Sequence, residues 1–441
     1  MTKEELKTKK IYPILLGCDK NRVDLEKMLH LVKEYGIAVT NDESVADIIL
    51  VQTCAFILPA RQEAIQNILY AINLKQIKPD LKIIVSGCFP QKNLEELKKE
   101  FPEVDGFLTI ANYPLIVNLI ENIYGISETK IKIGYTHGRL MTTQPHFSYL
   151  KIADGCNNCC SYCTIPRIRG RYKSVSMPDL LKEANLLVNN GVKELILVAQ
   201  DVTRYGEDIY GENKLIELIN ELSKIKKLKW IRLLYCYPEK VSDDLLKTIN
   251  ENEKVCKYID MPLQHIDNDI LKSMNRRVDE NQTIKLIEMI QSNYPQIKLR
   301  TTFIIGYPGE TNKAFKKLLD FNRKYKLDFV GFFSYSREEN TKAYYLKKQL
   351  PNYIKKRRLK KAQKIQNEIF IENSKQYIGN TYECIIDEFD EMQGVFIGRL
   401  EFFAPEIDFV VHVNNDNLLV GNSYKIKITG FENFNYIGEL I

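Results

Sequence analysis

The chain has 441 residues, 44% of them hydrophobic and 27% charged, an ordinary composition for a globular protein with room for two or three full cores. No apolar run approaches the roughly 18 residues of a membrane-spanning helix, which excludes a helical membrane-spanning class. The net charge of +6 is weak evidence for nucleic acid by itself.

The opening residues MTKEELKTKK lack the apolar core of a signal peptide, so the expected location is the cytoplasm. In that reducing compartment, ten cysteines read as metal ligands or reactive thiols rather than disulfides. Short apolar runs then alternate with amphipathic helical patterns, the signature of a parallel α/β layer. IYPILLGC, ADIILVQTC and KIIVSGC read as buried strands, with DLEKMLHLVKEYG and PARQEAIQNILYAINLK as helices. Each strand ends on a cysteine: Cys18, Cys54 and Cys88, 36 and 34 residues apart. Successive strands of a parallel sheet point their C-terminal ends at the same edge, so a repeat of one βα unit brings the three thiols together. One buried cysteine at a strand end is ordinary packing; three in consecutive units are hard to ascribe to coincidence.

A polar segment at 132–146 reads as a linker. A second α/β series runs from about 148 to 340, with strand candidates SYLKIADG, ELILVAQD, WIRLLYCYP, YIDMPLQH, LRTTFIIGYPGE and DFVGFFSYS. MPDLLKEANLLVNN and ENQTIKLIEMIQ are among the helices between them. Six βα units fall short of the eight of a closed TIM barrel, so an open, partial barrel is expected, with its chemistry on the loops at strand C-terminal ends. A basic helix follows, IKKRRLKKAQKIQNEIFIENSK. Between Gln376 and Ile441, five short β-type runs with Gly and Asn turns predict a small antiparallel OB-like barrel. The expected class is α/β, in the order N-terminal α/β domain (1–131), linker (132–146), partial (β/α)6 barrel with helical connector (147–375) and all-β barrel (376–441).

The first strand of the second series leads into GCNNCCSYCTIPRIRG, with four cysteines inside eight positions. Cys156, Cys160 and Cys163 form C-x3-C-x2-C. Three thiolates on one loop suit three irons of a 4Fe–4S cubane and leave the fourth open to a small molecule. The alternatives are zinc or a purely structural cluster. Zinc asks for a fourth nearby Cys or His, and Cys159, adjacent to Cys160, fits the same tetrahedron poorly.

This loop, placed after the first strand of an α/β barrel, resembles the radical S-adenosylmethionine (SAM) superfamily. The resemblance implies SAM bound at the open iron and cleaved to a 5′-deoxyadenosyl radical, cofactor chemistry suited to a C–H bond that no side chain can attack. It also directs attention to other strand ends. Gln200 and Asp201 follow the second strand, Gln264 and His265 the fourth, and IIGYPGET closes the fifth. Gln200, Asp201, Gly306 and Glu310 are the candidate SAM contacts. Gly306 and Gly309 either let backbone approach a ligand or serve turns, and His265 is equally a packing residue.

An upstream three-cysteine domain joined to such a barrel resembles the methylthiotransferases, over essentially the whole chain, with the C-terminal barrel matching that family's TRAM domain. The resemblance implies that Cys18, Cys54 and Cys88 hold an auxiliary 4Fe–4S cluster bearing the sulfur to be methylated and inserted. It implies that Cys156, Cys160 and Cys163 hold the SAM-cleaving cluster, one SAM giving the methyl group and a second the radical. Cys159 departs from the family pattern and is not an expected ligand, and Cys236, Cys256 and Cys384 are left to packing. A monomeric enzyme is expected, served by a flavodoxin- or ferredoxin-type electron donor and a sulfur source.

The family divides between enzymes that modify adenosine in tRNA and a branch that modifies the β-carbon of an aspartate in ribosomal small-subunit protein twelve. RNA binding demands Lys and Arg. Residues 376–441 carry only Arg399, Lys425 and Lys427 against eleven acidic residues from Glu383 to Glu439, Asp416 among them. That stretch is therefore at −8 and the remainder at +14. Such a surface repels an RNA backbone and suits a basic ribosomal protein, unless it is merely a solvated face. LKIADGC, VAQDVTRYGEDIYG, WIRLLYCYPE, YIDMPLQH, TTFIIGYPGET, FFSYSREENT and GRLEFFAPEID also resemble the protein-modifying branch. The cations of KKRRLKKAQK line a solvated helix, contact ribosomal RNA, or both.

Overall fold

The computed structural model describes residues 1–126, 134–415 and 417–441. The start of the expected linker (132 and 133) and Asp416 of the acidic set lie outside the described residues. Packing divides the chain into two units. One comprises Met1–Thr142, Tyr149–Asn158 and Cys163–Leu187; the other comprises Thr143–Ser148, Cys159–Tyr162 and Val188–Ile441.

The first unit is built on β1 (Lys10–Leu15), α1 (Asp19–Tyr35), β2 (Ala38–Val39), β3 (Ile48–Thr53), α2 (Leu58–Ile77), β4 (Lys82–Gly87), α3 (Cys88–Glu100) and β5 (Gly106–Thr109). The strands pair in the order β2-β1-β3-β4-β5, all parallel. The three expected strands are all present, and β2 and β5, only two and four residues long, were not anticipated. Strand β3 is buried along its whole length, which is why it reads as an unbroken apolar run rather than an alternating one. Ile48 and Leu50 pack with Leu25, Met28 and Leu29 of α1, whereas Ile49 and Val51 pack with Ala64 and Ile68 of α2. Successive side chains of one strand thus feed cores on opposite faces.

The described part of the expected linker forms neither helix nor strand, yet it is firmly held. Arg139 is buried between Glu26 and Glu183, Thr142 bonds Glu26 at 2.7 Å, and Lys27 reaches Glu183 at 2.8 Å.

The six strands of the second series appear as β6 (Phe147–Lys151), β9 (Glu194–Val198), β10 (Trp230–Leu233), β11 (Tyr258–Asp260), β12 (Lys298–Ile305) and β13 (Phe329–Ser334). Between the first two of these, β7 (Ala153–Asp154) and β8 (Lys173–Ser174) form a short antiparallel ladder, followed by α4 (Met177–Asn189). The six strands make two sheets, β10-β9-β6 and β11-β12-β13, rather than one continuous arc. The break falls at β11, three residues long and followed by Pro262. There the ladder gives way to single bonds, such as Cys256 N–H to the Ile231 carbonyl at 2.9 Å and Cys236 N–H to the Asp260 carbonyl at 2.8 Å.

After α5 (Asn312–Tyr325) and β13, the basic connector is one helix, α6 (Asn352–Ser374), entered from Pro351. Arg358, Ala362, Ile365, Gln366 and Ile369 are its buried stripe, at helical spacing, while Lys356, Arg357, Lys360, Lys361 and Lys364 are exposed. The C-terminal strands β14 (Thr381–Asp390), β15 (Val395–Leu400), β16 (Val411–Val413), β17 (Ser423–Glu432) and β18 (Asn435–Leu440) close into the expected barrel in the order β14-β15-β16-β18-β17, antiparallel except for the parallel pair β16–β18.

Arg399 of β15 fastens this barrel to the rest of the second unit. Its fully buried guanidinium meets Asp387 Oδ2 at 2.5 Å and Glu194 Oε2 at 2.9 Å, and Arg232 meets Glu194 at 2.7 Å. Burial works against the Glu194 carboxylate, but Arg232 and Arg399 hold its pKa below the usual range. Alanine at Arg399 strands two carboxylates, a change that costs about 3–5 kcal/mol when no other partner remains. Since Glu194 keeps Arg232 and Asp387 keeps His146 at 2.7 Å, we expect a loss near about 3 kcal/mol, read from the shift in urea midpoint; a loss below about 1 kcal/mol would show that the cluster is dispensable.

Candidate metal centres

Register places the three upstream cysteines at one edge of the first unit's sheet. Leu15 is level with Gln52, and Thr53 with Gly87, so Gly17, Cys54 and Cys88 are level across three strands and Cys18 follows one residue on. Two glycines make this possible. A Cβ on Gly17 (φ +92°) would sit 2.7 Å from the Cys54 Cβ, and one on Gly87 (φ +98°) 2.6 Å from the Thr53 carbonyl. Asn21 ties the edge together, donating to the Leu16 and Thr53 carbonyls at 3.1 and 2.9 Å while its Oδ1 lies 3.4 Å from Cys88 Sγ.

The edge is suited to anions. Cys18 is the N-cap of α1 and Cys88 the first residue of α3, so both thiols stand where unpaired N–H groups and the helix dipole favour negative charge. Burial opposes this and pushes the Cys88 thiol up to about 12, with Arg169 pulling the other way; burial raises Cys54 as well. Without a metal, these two therefore stay protonated at neutral pH, whereas a metal displaces the proton outright. Among the described residues, no three His, Cys, Asp or Glu side chains stand close enough to share a single metal ion. A cubane asks for a wider set, because each thiolate takes a different iron. The level register, the anion-favouring helix ends and the all-sulfur donors fit such a group.

Arg169 was not foreseen. Its side chain is 1% exposed and its two arms divide their work. Nη1 bonds Asp154 at 2.9 Å and Asp24 at 3.2 Å, while Nη2 bonds Asn21 Oδ1 at 2.7 Å and lies 3.7 Å from Cys88 Sγ. Lys151 completes the cluster, bonding Asp154 at 2.9 Å and Asp24.

In the cysteine loop, Cys156 and Cys163 belong to the first unit and Cys160 to the second. Each sulfur already accepts from the chain. Asn158 N–H points at Cys156 Sγ and Ile165 N–H at Cys163 Sγ, both at 3.4 Å. In the second unit, Arg276 Nη1 lies 3.8 Å and the Tyr237 hydroxyl 3.9 Å from Cys160 Sγ, with the guanidinium stacked over the Tyr237 ring at 4.5 Å. Donors aimed at sulfur are what a thiolate-held cluster uses to set its charge and potential, so this donor set fits as well. The Cys159 side chain is exposed, whereas Cys236, Cys256 and Cys384 are fully buried, and burial pushes all three of those thiols up.

The four candidate SAM contacts fall into two places. Gly306 and Glu310 meet each other, the Gly306 N–H donating to Glu310 Oε2 at 2.9 Å. The other Glu310 oxygen, Oε1, is taken by Arg358 of α6, while His265 Nε2 lies 3.6 Å from Oε2. A Cβ on Gly306 would stand 2.3 Å from Lys355 Cγ, so the connector helix itself uses that glycine's missing side chain, whereas Gly309 is an open turn. Asp201 is buried and caps its own turn through Thr203, with Gln200 beside it.

Comparison with known proteins agrees with this layout. Residues 10–109 match the model of the uncharacterized protein family UPF0004, 150–321 that of the radical SAM superfamily and 378–441 that of the TRAM domain. The fold resembles that of the radical SAM methyltransferase TsrM from Kitasatospora setae (TM-score 0.52, 13% identity, covering 74% of this chain and 72% of that one). In sequence, the chain is 42% identical to the ribosomal protein uS12 methylthiotransferase RimO of Thermoanaerobacter sp. (strain X514), over 97% of this chain and 98% of that protein. It is 43% identical to the RimO of Caldanaerobacter subterraneus subsp. tengcongensis, over 97% and 98%. With identities of 42% and 43% over 97% of its length, the chain belongs to the RimO methylthiotransferase family.

Proposed function

We propose that this chain, like the relatives named RimO, is a radical SAM methylthiotransferase of ribosomal protein uS12, and that it acts on the β-carbon of an aspartate. The observation that carries the reading is the convergence of Cys18, Cys54 and Cys88 on one sheet edge, beside helix N-termini and Arg169. Membership of the superfamily implies SAM and one 4Fe–4S cluster; a second cluster on the upstream cysteines is our inference. When bound, these groups supply the methyl group, the sulfur and the hydrogen-abstracting radical.

The chain's own residues hold and shield them. Cys18, Cys54 and Cys88 give three thiolates to the auxiliary site, and Cys156, Cys160 and Cys163 give three to the radical site, each set leaving one ligand position for something other than protein. Gly306, Glu310, Gln200 and Asp201 are proposed to line the SAM path through backbone and buried polar groups; with both Glu310 oxygens already bonded, that residue acts by holding the Gly306 turn. The electron is drawn from a flavodoxin- or ferredoxin-type donor and the sulfur from a separate source, by a chain that works as a monomer.

The C-terminal barrel supports a protein substrate. Two of its carboxylates serve packing, Asp387 on Arg399 and Asp408 on Arg300, while Glu383 pairs with Lys229 at the surface. The hairpin between β14 and β15 is different. Glu388 and Glu391 are exposed there, Asp390 caps its turn, and Phe389 and Met392 are 46% and 98% exposed. Acidic groups around exposed apolar side chains suit a basic protein and repel a phosphate backbone.

The test is the mass of uS12 from cells with and without the gene, together with nucleoside analysis of their tRNA. A methylthio mass on uS12 that disappears with the gene, and unchanged tRNA, is expected. Loss of a methylthioadenosine with uS12 unchanged would support the tRNA reading. No change in either, with a purified chain that binds iron or zinc but yields no 5′-deoxyadenosine, would make it a non-enzymatic binding module.

A further inference from the structure

We propose that Arg169 is the positioning residue that sets the charge of the auxiliary site and links it to the segment that leads into Cys156. The inference rests on the reading that Cys18, Cys54 and Cys88 hold a cluster. Within the buried network, two cations (Arg169, Lys151) face two carboxylates (Asp24, Asp154), so the set is balanced before any thiolate forms. Lys151 Nζ bonds both carboxylates. The Arg169 fork, by contrast, gives Nη1 to Asp154 and Asp24 and turns Nη2 to Asn21 Oδ1 and Cys88 Sγ. A planar guanidinium holds both arms at once, and an ammonium does not.

The consequence is directional. A cation in contact with a ligand sulfur, in a site screened from water, stabilises the more negative, reduced form of whatever the sulfur ligates. Asp154 partly cancels that cation and lies two residues before Cys156, so the carboxylate that steadies Arg169 is part of the backbone approaching the second cysteine set. Asn21, held by the same Nη2 arm and by the strand-end carbonyls, keeps the arm aimed at Cys88.

The test uses the full chain with Cys156, Cys160 and Cys163 replaced by alanine, so that only the upstream site loads when reconstituted anaerobically with iron and sulfide. Its midpoint is followed by electron paramagnetic resonance during reductive titration. In this background R169Q should lower the reduced-to-oxidised ratio at fixed potential at least tenfold, which is about 59 mV for one electron. R169K, which keeps the charge and loses the fork, should recover part of the shift. D154N removes a charge that opposes Arg169 without touching sulfur, and should move the midpoint upward; it also supplies the answer if R169Q takes up no iron. A loaded parent whose midpoint does not move in R169Q, or moves downward in D154N, overturns the inference alone. A parent background that binds no cluster overturns it together with the reading on which it rests.

Discussion

Chains with alanine at Cys156, Cys160 or Cys163 should form no 5′-deoxyadenosine from SAM under strong reductant, a fall of at least about a hundredfold, or about 2.7 kcal/mol in barrier terms. The proposed site draws on three thiols, and the adjacent Cys159 is no substitute: it has an exposed side chain and is tied in place by its carbonyl, which accepts from Asn275 at 2.8 Å. Removing one thiol leaves two ligands for a group that needs three. The N–H donors now aimed at Cys156 and Cys163, and the Arg276 charge beside Cys160, would then face an empty position. Cys→Ala removes a single sulfur from a packed loop, so the fold should persist, and circular dichroism should match the parent while iron falls by one cluster. C159S should keep both the iron and the activity. Cleavage retained in any of the three alanine variants would mean that SAM is activated elsewhere.

The unequal legibility of this molecule has physical causes. A parallel strand buried on both faces is an unbroken apolar run, so β3 and β4 could be read directly, as could the half-buried but equally apolar β1, and with them the cysteines at their ends. Strands β2 and β5 are too short to have a period and depend on pairing with neighbours. The open arc of six strands was legible as a count, but not its division at β11, which depends on three residues and a proline. Arg169, Asp24, Lys151 and Asp154 escaped notice for another reason. Buried ionic networks have no repeat, and a charge in the midst of PRIRG or YLKIADG looks like solvent-facing loop until its partners are known. The cysteine pattern pointed to the right neighbourhood, and Lys151, the one charged residue of the buried strand β6, was a further signal. The acid excess of the C-terminal barrel was likewise readable as a total, yet the total mixes carboxylates that dock the barrel with those at the β14–β15 hairpin that face solvent.

Alanine at Cys18, Cys54 or Cys88 should separate the two halves of the reaction: 5′-deoxyadenosine still forms, but no methylthio group reaches uS12. Product should drop to background, at least about a hundredfold, while SAM cleavage stays within about threefold of the parent. The asymmetry follows from where the residues lie. The upstream thiols are set by the register of β1, β3 and β4 and by Asn21, whereas the donors to Cys156 and Cys163 are backbone N–H groups of their own loop. Losing an upstream thiol therefore leaves the loop's own bonds in place. Cys88 is the most sensitive of the three: it begins α3, meets Asn21 and takes the Arg169 contact, so C88A also releases Nη2 from sulfur. Iron content should fall by one cluster in each variant, and the remaining signal should be that of the radical site alone. If C18A, C54A or C88A still delivers a methylthio group, the sulfur is not held at this edge; if each also abolishes cleavage in a chain that still carries the radical-site cluster, the two sites are not chemically separable as the geometry indicates.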